Sequence, residues 1–565
     1  MKQFHIPVGT SNFFEIRTEN YYYVDKSGLI EELLNARGTK VTLITRPRRF
    51  GKTLSMSMLS EFFDIRKDSK ELFENLSVSR NTELCKRWIN QYPTLFLTFR
   101  SVDGLSFEDA YSMLCAVIAR AYQEHLYLMD SPEINPYDRK IFDQIASQKA
   151  TQEQIKNSLL TLTRLMSAYY QKPVILLIDE YDVPLAKASN KSYYPQMLDT
   201  VKGLLQVIKD NPSLHFAVIT GCLQIAKESI FTGTNNFVSD TITDTRLNEY
   251  FGFTQEEVDR FLSDTDLREH GPEMKEWYDG YHFGEVDVYC PWDVVNHIKN
   301  LLADPSTPPA GYWKNSSDNS IIRSFIDHTG SSITKKFETL LSGGSILQKV
   351  EPNLTYDYLH SSEENLWSIL YLTGYLTHLR NPEDKKRLPG APLALVIPNL
   401  EIQEIFASAI KSWFEDTARC LDRSRLFSAV WNGDSRTVTA EMTSLLRRTI
   451  SYHDYKEDFY HAFFAGIFAG AGYQVESNRE HGEGRSDITV QDYAGDRVAV
   501  FEIKYSKTEN ALPADCERAL KQIDERRYSE EFRDDYAQVI CYGISFYKKR
   551  CLVLRKGETA SHSSL

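Results

Sequence analysis

The chain lacks the features that would place it among membrane-spanning or disulfide-stapled proteins. Its apolar runs, Val174 to Ile178 among them, are far shorter than the about 20 residues a helical membrane span requires. Eight cysteines, at 85, 115, 222, 290, 420, 516, 541 and 551, include no C-x₂-C pair. Neither a zinc site nor a disulfide framework is expected, and reduced structural thiols are. The stretch Met1-Lys2-Gln3-Phe4-His5 has no apolar signal-peptide core. No internal repeat or low-complexity tract stands out. A surplus of positive charge is also missing. The net charge of −13 argues against a surface that grips nucleic acid everywhere, while leaving room for a local basic groove. The expectation is a soluble, cytoplasmic protein with no membrane partner.

What is present is globular. Hydrophobic content of 42% and charged content of 25% sit at ordinary averages. At 565 residues the chain exceeds one core, which predicts about three or four domains.

Val41 to Thr45 reads as a buried strand and Arg46 to Phe50 as a tight loop. Gly51-Lys52-Thr53 follows, then an apolar helix from Leu54. That order suits a phosphate cradle. Backbone N–H groups of the loop and helix start face phosphates, Lys52 reaches the terminal ones, and the Thr53 hydroxyl ligates Mg²⁺. The usual motif carries a glycine where Arg46 stands. A second segment, Pro173 to Asp182, is an apolar run ending in acids, which predicts a strand buried on both faces of a parallel sheet. Asp179 then sits at the crevice where such sheets bind ligands and holds Mg²⁺ through its water shell, and Glu180 is placed to polarise an attacking water. An acid-rich helix start after a core strand would explain this segment alone. Further strands at Pro93–Phe99 and Leu214–Thr220 alternate with helices at Leu54–Phe63, Phe107–Glu124 and Ile155–Tyr170, predicting a parallel sheet covered on both faces.

These stretches, with Ile6-Pro7-Val8-Gly9-Thr10 and Tyr23-Val24-Asp25-Lys26-Ser27, resemble the bacterial AAA-ATPase-like family, whose members often carry a C-terminal PD-(D/E)XK nuclease-like domain. The form Arg46-Pro47-Arg48-Arg49-Phe50-Gly51-Lys52-Thr53 is characteristic of that family, so Arg46 is a family trait. Matches continue through Thr220-Gly221, Phe251 to Thr254, Trp277 to Tyr281 and Tyr312 to Asn315. The resemblance implies ATP and Mg²⁺ as cofactors. It gives nucleotide contacts to Arg46, Arg48, Arg49, Phe50, Gly51, Lys52, Thr53, Asp179 and Thr220. Thr220 stands where related ATPases sense the γ-phosphate, and an ordinary strand-end cap explains it equally well.

The expected division is a P-loop ATPase domain over 1–265, a mostly helical middle or lid domain over 266–450 and a restriction-endonuclease-like α/β domain over 451–565. Helices are expected in the middle at Pro291–Leu302, Ser320–Phe325 and Leu366–Leu379.

In the last segment an apolar helix over Glu457–Gly472 precedes a hairpin, with arms from Asp487 to Tyr493 and from Arg497 to Tyr505. Side chains alternate along the second arm, so Glu502 and Lys504 share a face and Asp487 enters from the neighbouring strand. An Asp followed by Glu-x-Lys on the next strand is the PD-(D/E)XK arrangement. Two carboxylates hold Mg²⁺ against a phosphodiester, the metal activates a water, and the lysine positions it. Glu457 adds a third candidate metal contact, and Gln522 lies on the following helix, resembling the family's later motif. Lys507, Arg518, Lys521, Arg526 and Arg527 either supply positive surface or form a solvated helix face. Arg246 is a candidate trans finger, or a surface ion-pair partner.

Two functional classes follow. In one, an ATPase governs a Mg²⁺-dependent nuclease acting on nucleic acid, with DNA preferred. In the other, a nucleotide switch carries an inactive nuclease-like fold as a binding module for nucleic acid or protein. Homo-oligomerisation is left open.

Overall fold

The computed structural model describes residues 5–36, 38–224, 237–313, 336–337, 339–351, 354, 362–380, 390–408 and 424–449. Between 460 and 559 it describes all but 461–463, 465–466, 469–471, 478–479, 482–483, 486, 531 and 534. The chain forms two compact units, Met1–Ser317 with Ser345–Glu404, and Asp318–Gly344 with Ile405–Leu565.

The first unit is built on five parallel strands, β1 (Val41–Thr45), β2 (Thr94–Thr98), β3 (Val174–Asp179), β4 (Leu214–Gly221) and β5 (Phe237–Asp240), in the order β2-β3-β4-β1-β5. Parallel strands need crossovers, and helices α1 (Lys52–Phe63), α2 (Phe107–Gln123) and α3 (Ser158–Tyr170) lie among them. Every residue of β1 and β3 is buried, as their unbroken apolar runs require. Each fully buried Leu or Ile there contributes about 1.5–3 kcal/mol of transfer free energy. β4 lies between the strand that feeds the loop and the strand that ends in Asp179. The C-terminal ends of all three therefore meet at one edge. The helix expected over Ile155–Tyr170 is two: Gln152–Lys156 under a Thr151–Gln154 capping box, then α3 from Ser158, with Asn157 between them.

The rest of this unit holds the hairpin β6 (Tyr281–Phe283)–β7 (Val286–Val288) and helix α4 (Pro291–Ala303). It also holds a small antiparallel sheet of β8 (Ile346–Gln348), β9 (Thr377–His378) and β10 (Leu393–Val396), and helix α5 (Glu363–Leu372). α5 stops before the expected Leu379 because Gly374, at φ +87°, turns the chain left-handed into β9. The helix expected at Ser320–Phe325 lies outside the described residues.

The second unit is a mixed sheet in the order β11-β14-β15-β16-β17. Its strands are β11 (Gln474–Ser477), β14 (Ile488–Asp492), β15 (Arg497–Tyr505), β16 (Gln538–Tyr547) and β17 (Arg550–Arg555), with β12 (Glu480–His481) and β13 (Gly484–Arg485) paired separately. Helices α6 (Ser424–Asn432) and α7 (Ser435–Thr449) precede it, and α8 (Leu512–Glu525) joins the parallel pair β15–β16. α8 buries Leu512, Cys516, Ala519 and Ile523, one stripe at helical spacing. Phe464, Phe468, Phe501 and Tyr542 share one core, with Phe501 stacked on Tyr542 at 5.1 Å between ring centroids. The α/β class expected from sequence is what the two sheets form.

Candidate nucleotide and metal sites

In the first unit the residues after β1 form a closed loop. Gly51 caps α1 at φ +85° and ψ 7°, and no heavy atom lies within 4 Å of where a Cβ would stand. Glycine is needed there for its backbone conformation. Lys52 is nearly buried, and its Nζ donates to the carbonyls of Arg46 (2.8 Å) and Pro47 (2.7 Å). The ammonium thus lies across its own loop. The Thr53 hydroxyl donates to Asp179 Oδ2 at 2.9 Å, and the Thr220 hydroxyl donates to Asp179 Oδ1 at 2.6 Å. Asp179 is fully buried and joins the end of β3 to the end of β4 and the start of α1 in one polar knot. The next residue, Glu180, turns left-handed at φ +53°. Burial first, then the Asp179 charge, raise its carboxyl above the usual range, against the opposing pull of Lys52.

In the second unit Asp487 and Glu502 come together across the β14–β15 hairpin. Asp487 Oδ2 accepts the Ile503 N–H at 2.7 Å, and Lys504 Nζ donates to Glu502 Oε1 at 2.8 Å. Glu502 is fully buried, and its Oε2 has no hydrogen-bond partner among the described residues. Its carboxyl is pushed up to about 7, by burial first and then by the Asp487 charge, with Lys504 pulling the other way. An exposed strand face would not bury a carboxylate oxygen unpaired, because that costs several kcal/mol unless a cation or donor arrives.

Residues 7–231 match the family model described as predicted AAA-ATPase, and residues 455–556 match that of the PD-(D/E)XK nuclease superfamily. The chain joins these two domains. It is also similar to a protein of Azotobacter chroococcum mcd 1 described as an uncharacterized protein in the vnfD 5′ region. The two are 24% identical over 559 residues, covering 97% of each.

Within the AAA-ATPase domain, the residues grouped by sequence with the nucleotide separate by position. Thr53, Asp179 and Thr220 form the knot just described, Gly51 and Lys52 stand on the loop that leads into it, and Glu180 follows Asp179. Arg46 does not face it. Its guanidinium is fully buried and donates to the carbonyls of Thr45 (2.8 Å) and Asp240 (2.9 Å) and to Asn248 Oδ1 (3.0 Å). It also lies over the rings of Phe251 (5.4 Å) and Phe283 (5.5 Å). Nucleotide contact by the Arg46 side chain is therefore corrected to a structural role. A residue with no side chain at this position would leave those groups unpaired, so the arginine is an anchor. Phe50 is likewise buried, against Tyr281 and Phe283 at 5.0 Å each, which removes its ring from nucleotide contact. Arg49, at φ +73°, donates to the Tyr312 carbonyl at 3.1 Å and stacks over Trp292 at 4.8 Å. Arg48 is half-buried on the loop. Arg246 is ion-paired with Asp240, the surface-partner alternative.

Three groups escaped the sequence reading. Asp182 is buried and accepts the N–H groups of Cys222 (2.9 Å) and Leu223 (3.0 Å), which fixes the chain after β4 beside the knot. Thr98, at the end of β2, donates weakly to Asp179 at 3.4 Å. Behind Arg49, Asp293 and Glu401 are both fully buried, with Cys290 beside them. Burial raises both carboxyls, that of Glu401 to about 10 with the Asp293 charge as the next cause, so the pair retains a proton at neutral pH, and Glu401 Oε1 accepts the Trp313 N–H at 2.6 Å. The acidic Asp179–Asp182 run hinted at Asp182. Nothing in the sequence pairs Asp293 with Glu401.

In the nuclease-superfamily domain, Gln522 is half-buried on α8, and its side chain is hydrogen-bonded to none of Asp487, Glu502 and Lys504. Glu457 lies outside the described residues. Among the described residues no cluster of three or more His, Cys, Asp or Glu is placed to hold a metal. Asp487 and Glu502 remain as a two-carboxylate set whose orphaned oxygen fits a hard divalent cation. Of the five basic residues expected near this site, Arg518 pairs with Asp515, Lys521 with Glu525 (3.5 Å) and Arg527 with Glu530 (3.9 Å). Arg518 and Lys521 belong to the salt-bridged surface of α8, and Arg527 to the turn beyond it. No described helix is long and apolar enough to cross a membrane.

Proposed function

We propose that the chain binds and hydrolyses ATP in its first unit and uses that cycle to control a Mg²⁺-dependent phosphodiesterase in its second, acting on nucleic acid, with DNA the preferred form. The observation that carries this reading is Glu502. It is buried, half unpaired, raised to about 7, and flanked by Asp487 and Lys504. A carboxylate is kept in such surroundings where a cation repays its desolvation.

Asp487 and Glu502 would hold the metal, and Lys504 would steady a water or a phosphate oxygen beside it. When bound, Mg²⁺ lowers the pKa of its water and offsets charge on the phosphodiester. In the first unit Lys52 would exchange the Arg46 and Pro47 carbonyls for phosphate oxygens, and Thr53 and Asp179 would serve Mg²⁺. Glu180, made more basic by burial, would take the proton of the attacking water. Asp182 would keep the Cys222 backbone fixed while this occurs.

The test is cleavage of end-labelled DNA and RNA by the wild-type chain and by Glu502→Ala, with and without ATP and Mg²⁺. Mg²⁺-dependent cleavage that responds to ATP and is lost in Glu502→Ala is expected. ATP turnover and nucleic-acid binding with no cleavage under any condition would replace this reading with the nucleotide switch and its inactive nuclease-like module.

A further inference from the structure

The first unit has a second edge. In a parallel sheet the N-terminal ends of all strands lie together, opposite the Thr53–Asp179–Thr220 knot. Tyr92 precedes β2, Lys172 precedes β3, His215 is the second residue of β4 and Lys40 precedes β1. The order β2-β3-β4-β1 makes these four neighbours along one rim. Trp88, at the end of the Thr82–Trp88 helix, completes an aromatic triad. Its ring stacks on Tyr92 at 4.8 Å, Tyr92 stacks on His215 at 5.0 Å, and Trp88 and His215 are 5.2 Å apart. All three rings are half-buried, so each keeps part of its surface in solvent.

Three cations surround the triad. The Arg87 guanidinium lies 5.6 Å from the Trp88 ring, and Lys172 Nζ lies 5.9 Å from the Tyr92 ring. Lys40 Nζ donates to the His215 carbonyl at 3.1 Å. Among the described residues none of the three is in an ion pair, in a chain of net charge −13 whose α8 cations Arg518 and Lys521 are both paired. The charged groups acting on His215 are Lys40 and Arg87, both of which, after burial, lower its pKa. Helix C-termini account for a cation at Arg87 and at Lys172, just beyond α3. They do not account for Lys40 or for the stacked rings.

We propose that this rim is a binding surface for single-stranded nucleic acid, with Lys40, Arg87 and Lys172 on the phosphates and Trp88, Tyr92 and His215 offering ring surface to unstacked bases. Aromatic surface with unpaired cations is the chemistry that binds single strands without sequence preference. A duplex keeps its base faces stacked inside and would use only the charges. The inference shares with the proposed function only that the chain handles nucleic acid. It places contact on the ATPase unit, at the sheet edge opposite the nucleotide site.

The test uses the full chain carrying Glu502→Gln, without added metal, so that binding is read apart from cleavage. Anisotropy of a labelled oligothymidylate of about 15 nucleotides is followed across a salt series. A second protein adds Arg87→Glu and Lys172→Glu. At least a tenfold loss of affinity is expected in the second protein, and its log–log salt slope should fall by about 1.4, about 0.7 for each lost phosphate contact. Unlabelled single strand should compete better than an equal length of duplex or of inorganic polyphosphate. Retained ATP hydrolysis in the second protein shows that the unit is folded. Equal affinity and slope in both proteins, no binding at low salt, or polyphosphate competing as well as the oligonucleotide would each overturn the proposal. Loss of nuclease activity in the separate cleavage test would not touch it.

Discussion

Glu401→Gln is expected to flatten the pH dependence of the first unit's stability. In the folded chain burial, then the Asp293 charge, push the Glu401 carboxyl up to about 10 from an ordinary 4.5. Asp293 is raised too, by burial, with Arg49 opposing. The folded pair therefore keeps a proton that the unfolded chain releases. Stability from this source is complete below about pH 4.5 and is lost as pH rises towards the folded value, the reverse of an ion-paired acid. One retained proton changes the folding equilibrium about tenfold per pH unit, so on the order of 3 kcal/mol separates pH 6 from pH 8. Glutamine keeps the shape, directs an N–H towards Asp293 and retains the carbonyl that accepts the Trp313 N–H, but does not titrate. Urea denaturation of both proteins at pH 6, 7 and 8 gives the stability difference at each pH, in which other titrating groups cancel. That difference should move in favour of Glu401→Gln by up to about 3 kcal/mol across the range. A difference constant from pH 6 to 8 would refute the retained proton.

Arg46→Gly, which restores the commoner loop residue, should destabilise the first unit by about 3–5 kcal/mol in denaturant titrations, because it strands buried carbonyls and Asn248. Lys52→Ala should abolish ATP binding measured by isothermal titration, whereas Glu180→Gln should bind and fail to release phosphate; unchanged hydrolysis in the latter removes the role given to Glu180. Asp487→Asn and Glu502→Gln should lose Mn²⁺ binding and cleavage together, while Lys504→Ala loses cleavage and keeps the metal. If those three changes leave Mn²⁺ affinity untouched, the hairpin carries no metal site.

Four strands of the first sheet and the β14–β15 hairpin of the second were legible because they are apolar runs ending in chemistry-bearing residues, whereas β5, β16 and β17, which carry no such residues, were not read. Val174 to Asp179 and Arg497 to Tyr505 show a strand, its burial and its functional end in one reading. Alternation along β15 predicted that Glu502 and Lys504 share a face, and they are hydrogen-bonded. Side-chain direction in a loop was not legible. Arg46 sits among phosphate-contacting positions in sequence, yet its long side chain turns to β5 and the chain beyond. The deciding partners, Asp240, Asn248 and Phe283, lie about 200 or more residues away. Asp293 and Glu401 were invisible for the same reason, since an isolated acid in a helix reads as solvated until its neighbour is known. The early stop of α5 follows from Gly374, a residue that helical periodicity alone does not weigh.

The two candidate sites differ in how far apart their parts are synthesised. Asp487, Glu502 and Lys504 belong to a single hairpin paired from Ile488↔Phe501 to Asp492↔Arg497. A contact so local closes on the timescale of hairpin formation, about 1–10 μs, before β16 need be present. The nucleotide knot has no such shortcut. β1 pairs Val41 with Ala217 on one side and with Phe237 on the other, so the loop's own strand stays without neighbours until most of the first unit has been made. On the ribosome the Lys52 loop and the Asp179 strand emerge early but are joined only when β4 inserts between them. Nucleotide binding would therefore report a fully assembled first sheet, whereas metal binding at the hairpin would report only two neighbouring strands.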